Sequence, residues 1–109
     1  MRKFCLALDL IDDPDLIAEY ESYHQNIWPE IRQSILDSGI VNMEIYRIQN
    51  RLFMMVEADE NFSFEAKNEA DKNNRKVQEW EKLMWKFQQQ LPNSKPGEKW
   101  QLMGKIFSL

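Results

Sequence analysis

The sequence has few of the residues that usually build a metal site or a covalent cross-link. It contains one cysteine, Cys5, and one histidine, His24. A lone cysteine cannot form a disulfide within the chain, so we expect a reducing, cytoplasmic setting. A structural zinc site needs about four cysteine, histidine or carboxylate ligands, and neither a CxxC nor an HxxxH pattern occurs. These absences argue against a zinc protein and against a disulfide-stabilised secreted domain.

Long apolar runs and an excess of positive charge are also absent. No stretch approaches the roughly 20 apolar residues that cross a bilayer. The apolar run at residues 4–8 ends at Asp9 and is too short for a signal peptide. The formal net charge is −4 at pH 7, whereas proteins that bind nucleic acids or anionic membranes carry a basic surface. We therefore expect neither a nucleic-acid partner nor a membrane partner.

Glycine and proline are scarce, and apolar side chains are plentiful. The 109 residues include 3 glycines and 4 prolines, while 43% are hydrophobic and 12% are aromatic. Such a composition can bury a core and is unlike that of a disordered or low-complexity chain. The length is close to that of one ordinary domain. We therefore expect residues 1–109 to form a single domain.

The first third of the chain predicts a strand followed by a helix. Residues 2–10 alternate between two faces, which is typical of a strand. Asp13 followed by Pro14 predicts an N-cap and a first helical position. We expect Pro29 to kink or restart the helix, because proline removes a backbone donor. The helical face recurs at steps of three or four residues and consists of Ile17, Tyr20, His24, Trp28, Ile31 and Ile35.

The remaining chain predicts a hairpin, a second long helix and a last strand. Residues 40–48 and 51–58 flank a two-residue loop. Ser63 is a candidate cap for a short helix, and residues 98–107, including Trp100 as a packing residue, predict the last strand. The order β-α-β-β-α-β predicts an α+β, ferredoxin-like fold, with a four-stranded antiparallel sheet and helices on one face. The second long helix is predicted from Val77, Trp80, Met84, Phe87 and Leu91, with Pro92 ending it.

Both faces of the predicted sheet are apolar. The third strand places Leu52, Met54 and Val56 on one face, and Phe53 and Met55 on the other. A sheet that carries helices on one face should be polar where its other face meets water. A second copy of the chain is the simplest cover for that face. The pattern therefore predicts a homodimer of the dimeric α+β barrel type.

Tyr20, His24 and Trp28 are candidate site residues, because on a straight helix they stack along one face. One interpretation is a core histidine among packed aromatic rings, the common arrangement for such a stripe. The other is a pocket in which His24 exchanges a proton near neutral pH. Indole walls suit the apolar C–H face of a sugar ring, and Trp80 would supply a further wall.

The residues that carry these candidates resemble a known family. The run YESYHQNIWPE at 20–30 resembles the Y-x-x-x-H-x-x-I-W-P-E signature of the L-rhamnose mutarotases. NMEIY at 42–46 and RLFMMVE at 51–57 are similar to the family's hairpin, and VQEWEKLM at 77–84 is similar to its second helix. The resemblance covers nearly the whole chain.

The resemblance implies a small cytoplasmic dimer that interconverts the α and β anomers of a 6-deoxyhexose, without metal or organic cofactor. It assigns His24 as the catalytic proton donor and Tyr20 as a sugar-binding residue. Met43 stands where some members have a tyrosine, and Glu81 stands where others have the second tryptophan of a pair. L-rhamnose is the expected sugar and L-fucose the alternative. The predicted sugar-binding set is Tyr20, Trp28, Met43 and Trp80.

Other functions remain open at this stage. Dimeric α+β barrels also include cofactor-free monooxygenases and haem-binding proteins, in which His24 would be an axial haem ligand. A non-catalytic sensor domain is a third candidate. For the mutarotase, the second proton carrier is Tyr20, a carboxylate or water.

Overall fold

The backbone forms an antiparallel sheet with helices packed on one face, in a computed structural model that describes residues 1–109. This confirms the predicted α+β, ferredoxin-like class. In chain order the elements are β1 (Arg2–Leu10), α1 (Pro14–Gln25), α2 (Pro29–Asp37), β2 (Ile40–Ile48), β3 (Arg51–Ala58), α3 (Phe64–Lys72), α4 (Arg75–Trp85), β4 (Gln88–Gln89) and β5 (Gln101–Leu102).

The sheet runs in the order β2-β3-β1, and two short strands share the far edge of β1. Gln88 of β4 lies opposite Leu10, and Leu102 of β5 lies opposite Leu6. The fourth strand position is therefore filled by two pieces, and residues 90–100 leave the sheet between them.

The prediction of a continuous last strand over 98–107 is wrong. Only Gln101–Leu102 pairs with β1, followed by one bond of 2.8 Å from the Met103 amide to the Cys5 carbonyl. Beyond it the chain makes no ladder, and the side chains of Ile106 and Phe107 are exposed. The alternating apolar residues are compatible with a strand, but a strand also needs a neighbouring backbone to pair with.

The first helical segment restarts at its proline, as one of the two predicted outcomes. Asp13 caps α1, its side chain accepting from the Asp15 and Leu16 amides. Helix α1 ends at Gln25 and α2 begins at Pro29, because proline has no amide to continue the ladder. His24 and Trp28 therefore belong to different segments rather than to one straight helix.

The prediction that the second long helix reaches Leu91 is wrong. Helix α4 ends at Trp85, and Gln88–Gln89 is a strand. The Ile11 amide donates to the Phe87 carbonyl at 2.8 Å, so this segment satisfies the edge of β1. Phe87 is buried as predicted, although it lies beyond the end of α4 rather than on its apolar face.

The short helix predicted after Ser63 is confirmed as α3. The Ser63 hydroxyl accepts from the Ala66 amide at 3.0 Å. Asn74 then caps α4 by accepting from the Lys76 and Val77 amides. Both predicted helices are therefore present, each with a side-chain cap, and α4 lies across the inner face of the sheet.

The two sheet faces have different surroundings. The inner face carries the core, in which Leu8, Leu10, Leu52 and Val56 are almost fully enclosed. The outer face carries apolar side chains that meet solvent, including Tyr46, Ile48 and Phe53 at 55%, 73% and 36% exposure. No helix has the length and apolar character needed to cross a bilayer.

Candidate active site

A cavity of about 510 Å³ lies between the inner face of the sheet and the helices. This volume is in the range of small-molecule sites. Its lining is largely apolar on the sheet side, where Leu6, Met43, Met54 and Val56 contribute. The polar side chains that line it come from α1, α2, α3, α4, β4 and the segment before β5: Tyr20, His24, Ser34, Lys67, Asn68, Asp71, Glu81, Gln88 and Lys99.

Helix α1 places Tyr20 and His24 together, one turn apart, on the wall of the cavity. Their ring centroids are 4.4 Å apart. Trp80 of α4 approaches His24 from the other side, with its ring centroid 5.6 Å from the imidazole. The imidazole therefore contacts a phenol and an indole, and this indole belongs to Trp80 rather than to Trp28, which the periodicity had predicted.

The orientation of His24 is fixed by its own helix. The Nδ1 atom lies 2.9 Å from the Tyr20 carbonyl oxygen, which can only accept, so Nδ1 carries a proton and donates. In the neutral imidazole the lone pair is then on Nε2. Burial lowers the pKa of His24 below its ordinary 6.5, although the bond to the Tyr20 carbonyl opposes this shift. Near neutral pH, His24 is therefore an uncharged base at Nε2.

Tyr20 is held in its protonated form. Its side chain is buried, and its hydroxyl oxygen accepts a bond of 3.3 Å from Gln88 Nε2. Burial raises the pKa of Tyr20 to about 12, against a smaller lowering by the Gln88 bond. At neutral pH the phenol can donate a hydrogen bond but cannot serve as a base.

The two tryptophans of the predicted pocket have different positions. Trp80 lines the cavity and is 8% exposed. Trp28 lies outside the lining and packs behind Trp80, with ring centroids 5.1 Å apart. Trp28 lies in the interruption between α1 and α2, outside the cavity lining, and Lys76 Nζ lies 5.6 Å from the centroid of its ring. Trp28 thus supports the wall that Trp80 presents.

The two positions that depart from the family pattern both line the cavity. Met43 of β2 pairs with Val56 in the ladder and projects from the inner face of the sheet. Glu81 reaches the cavity from α4. Nearby, the ammonium of Lys67 lies 2.7 Å from Asp71, and both side chains are largely buried. One end of the cavity is therefore polar and able to bind hydroxyl groups.

Gln88 and Trp100 are among the lining residues that the sequence did not reveal. Gln88 falls within the predicted second long helix, and no feature of the sequence distinguishes it there. The sequence predicts Trp100 as a packing residue of the last strand, and it does pack against the buried core. It also lines the cavity, because residues 90–100 leave the sheet and return beside Leu102.

Comparison with known proteins identifies the family. The family model for L-rhamnose mutarotase matches residues 3–109. The chain belongs to the L-rhamnose mutarotase family. It is accordingly a sugar mutarotase, an isomerase, as the signature at 20–30 predicted. Membership favours this activity over the monooxygenase, haem-binding and sensor alternatives.

Relatives of this mutarotase carry two different sugar names. An L-fucose mutarotase of Xanthomonas campestris is 44% identical, covering 100% of this chain and 89% of that protein. An L-rhamnose mutarotase of Escherichia coli is 31% identical, covering 77% of this chain and 79% of that protein. Because the two names differ in the sugar, the similarities identify the family rather than the sugar.

Solved structures share the fold of this mutarotase. A crystal structure of an L-rhamnose mutarotase from Formosa agariphila superposes with a TM-score of 0.73 at 20% identity, covering 100% of this chain and 99% of that one. The tetracenomycin F2 cyclase of Streptomyces glaucescens reaches 0.63 at 12% identity, with coverage of 100% and 99%. The second likeness shows that the same architecture carries different chemistry.

Proposed function

We propose that residues 1–109 act as one mutarotase domain that interconverts the α and β anomers of a 6-deoxyhexose in the cavity beside α1 and α4. L-fucose is the preferred sugar in this proposal and L-rhamnose the second. The preference is supported by the 44% identity to the Xanthomonas campestris L-fucose mutarotase over the whole chain. It is also supported by Met43 and Glu81, which depart from the L-rhamnose pattern within the cavity lining.

The observation that carries the proposal is the state of His24. An imidazole with Nδ1 bonded to the Tyr20 carbonyl and with a lowered pKa leaves Nε2 as a base for a ligand in the cavity. Mutarotation requires only that a proton leaves the anomeric hydroxyl and that a proton reaches the ring oxygen. General acid–base help of this kind contributes roughly 10²–10⁴-fold.

In this proposal His24 carries the proton in both directions, so the reaction needs no second proton carrier. His24 Nε2 takes the proton of the anomeric hydroxyl, and the C1–O1 bond becomes the aldehyde carbonyl. The electron pair of the breaking C1–O5 bond passes to the ring oxygen, which takes the proton back from His24. This return is the donor step that the resemblance assigns to His24. Rotation about C1–C2 and the reverse sequence then give the other anomer.

The other lining residues hold the sugar during this exchange. Trp80 offers an apolar indole to the C–H face of the pyranose ring, and Trp28 supports it from behind. Tyr20, protonated throughout, donates a hydrogen bond to a sugar oxygen. Met43 supplies apolar contact from the sheet side.

Saturation-transfer NMR of anomer exchange tests this proposal on L-fucose, L-rhamnose and D-glucose in parallel. We expect catalysis with the two 6-deoxyhexoses, fastest with L-fucose, and a loss of about 10²–10⁴-fold in His24→Ala. Gln25→Ala is the matched control, since Gln25 is the exposed neighbour of His24 on α1. Undiminished exchange in His24→Ala would remove His24 from the reaction.

The proposal extends to a homodimer in a cytoplasmic setting. Tyr46, Ile48 and Phe53 on the outer sheet face are apolar and exposed, as are Ile106 and Phe107 beyond the last ladder bond. Exposed apolar side chains grouped on one sheet face are typical of an interaction surface, and a second copy would cover them. The unpaired Cys5 is consistent with a reducing compartment.

A further inference from the structure

Gln88 is one of only two buried polar or charged side chains in the protein, together with Asp9. Asp9 has a structural partner, because both of its carboxylate oxygens accept from Arg51, at 2.8 and 3.1 Å. Gln88 instead lines the cavity and bonds to a residue of the proposed site. Burying an amide is costly unless its hydrogen-bonding groups are satisfied, so its place at the cavity calls for a function.

Only the nitrogen of the Gln88 side-chain amide has a hydrogen-bond partner within the protein. Its Nε2 donates to the Tyr20 hydroxyl at 3.3 Å, and this is the only hydrogen bond of the side chain. No fully enclosed side-chain nitrogen or oxygen in the protein lacks a partner. The Oε1 atom, which accepts from no protein donor, is therefore reachable from the cavity that Gln88 lines.

The Gln88–Tyr20 bond also sets the direction of the phenolic proton. Because the Tyr20 oxygen accepts from Gln88, its own proton is free to donate elsewhere. The backbone fixes this arrangement, since Gln88 pairs with Leu10 at the edge of β1 and follows the buried Phe87. A functional group held on a paired strand is placed more accurately than one on a loop.

We propose that Gln88 is a positioning and specificity residue that, together with Tyr20, reads one non-reacting ring hydroxyl of the sugar. The Tyr20 hydroxyl donates a hydrogen bond to that sugar oxygen, and Gln88 Oε1 accepts a hydrogen bond from the same sugar hydroxyl. A hydroxyl is the group that can do both at once. The bound hydroxyl is a non-reacting one, because Tyr20 stays protonated and therefore binds the sugar without exchanging a proton with it. This inference rests on the proposed mutarotase function.

The test compares Gln88→Met with the wild type on L-fucose and on its analogues deoxygenated at C2, C3 or C4. Methionine keeps the length and burial of the side chain while removing both polar groups. With L-fucose we expect a loss of roughly tenfold or more in kcat/KM for exchange. With the one analogue that lacks the hydroxyl being read, the wild type and Gln88→Met should be nearly equal. Gln89→Met is the control, because Gln89 is exposed and adjacent in β4.

A double-mutant cycle with Tyr20→Phe provides the second measurement. If Gln88 acts through Tyr20, Gln88→Met should cost much less in the Tyr20→Phe background than in the wild type. A purely structural glutamine would instead lower exchange by the same factor on every analogue and in both backgrounds. That uniform result overturns the inference. Gln88→Leu, which also removes both polar groups, serves in place of Gln88→Met if the latter does not fold by circular dichroism.

The two proposals fail in different ways. A wild-type protein without exchange activity on any of these sugars contradicts the mutarotase proposal itself. An active wild type in which Gln88→Met reduces exchange equally on L-fucose and all three analogues contradicts only the role of Gln88.

Discussion

At the scale of single residues, the properties of His24 and Tyr20 come from burial acting on two neighbouring groups in different ways. Burial lowers the pKa of His24 and raises the pKa of Tyr20, because in both cases it disfavours the charged form. Both side chains are therefore uncharged near pH 7. Their roles then separate by hydrogen bonding: His24 presents a lone pair, and Tyr20 presents a proton.

This charge state predicts the pH dependence of exchange. In the proposed mechanism His24 must be uncharged to take the anomeric proton, and burial lowers its pKa below 6.5. We expect the exchange rate to be level between about pH 7 and 8 and to fall as the pH drops through the His24 pKa. The pH profile of kcat/KM by saturation-transfer NMR measures this. A rate that rises on acidification would show that imidazolium starts the reaction.

Met43 and Glu81 predict a change of sugar preference. Met43→Tyr together with Glu81→Trp restores the residues that the resemblance associates with L-rhamnose mutarotases, and both positions line the cavity. We expect the ratio of L-rhamnose to L-fucose exchange to rise about tenfold, since altered contacts in a pocket discriminate at this level. Competition between the two sugars in one NMR sample measures the ratio. The two single variants show which position carries the change, and an unaltered ratio in the double variant would contradict the role given to both.

At the scale of elements, the sequence predicts those helix starts and strands that depend on interactions between residues close in the chain. Asp13, Ser63 and Pro29 mark helix starts through their own chemistry, and alternation marked β1 and the hairpin strands. The edge of the sheet was not predictable in this way. Residues 86–91 can continue a helix by their own preferences, but the backbone of β1 needs partners, and that requirement is visible only in the assembled sheet.

The same distinction explains which site residues the sequence could identify. Tyr20, His24 and Trp80 lie on helices with clear periodicity, so their common facing was predictable. Gln88 lies where the predicted helix was wrong, and an error of element type changes which face a side chain occupies. Trp100 lines the cavity because residues 90–100 leave the sheet and come back to it at β5. No local sequence pattern predicts where such a segment rejoins the sheet.

The turn between α2 and β2 gives a stability prediction. Gly39 has a φ of +101°, and an added Cβ would lie 2.8 Å from Asp59 Oδ1. The Gly39 carbonyl also accepts from the Asp59 amide at 2.9 Å, which limits relaxation. We expect Gly39→Ala to lower the free energy of unfolding by about 1–3 kcal/mol. Urea denaturation measures it, and Gly104→Ala, whose Cβ meets open space, is the control. Equal stability of the two variants would contradict the argument.

At the scale of the whole molecule, the outer sheet face predicts the state of association. We expect a dimer by light scattering at micromolar concentration. Tyr46→Lys should weaken it by tenfold or more, because a lysine would lose its hydration in an apolar contact. In the isolated chain Tyr46 is 55% exposed and lies beside Glu44, so lysine there is compatible with folding.

Lys82→Glu is the control for the dimer prediction, since Lys82 is an exposed charge on α4, away from the outer sheet face. Sedimentation equilibrium on the wild type and both variants gives the dissociation constants. A wild type that stays monomeric, or a Tyr46→Lys variant that associates as tightly as the wild type, would contradict a contact through this face.

The bond from His24 to the Tyr20 carbonyl has a consequence for how this enzyme tolerates sequence change. Many catalytic histidines are oriented by a carboxylate side chain, and a single codon change can delete that group. Here the orienting atom belongs to the backbone, which every residue type supplies at position 20. Saturation mutagenesis around the site should therefore yield variants that lose sugar affinity, and none outside position 24 that lose the imidazole tautomer while α1 is intact. Substitutions at the binding residues can therefore change sugar affinity while the tautomer of His24 stays the same.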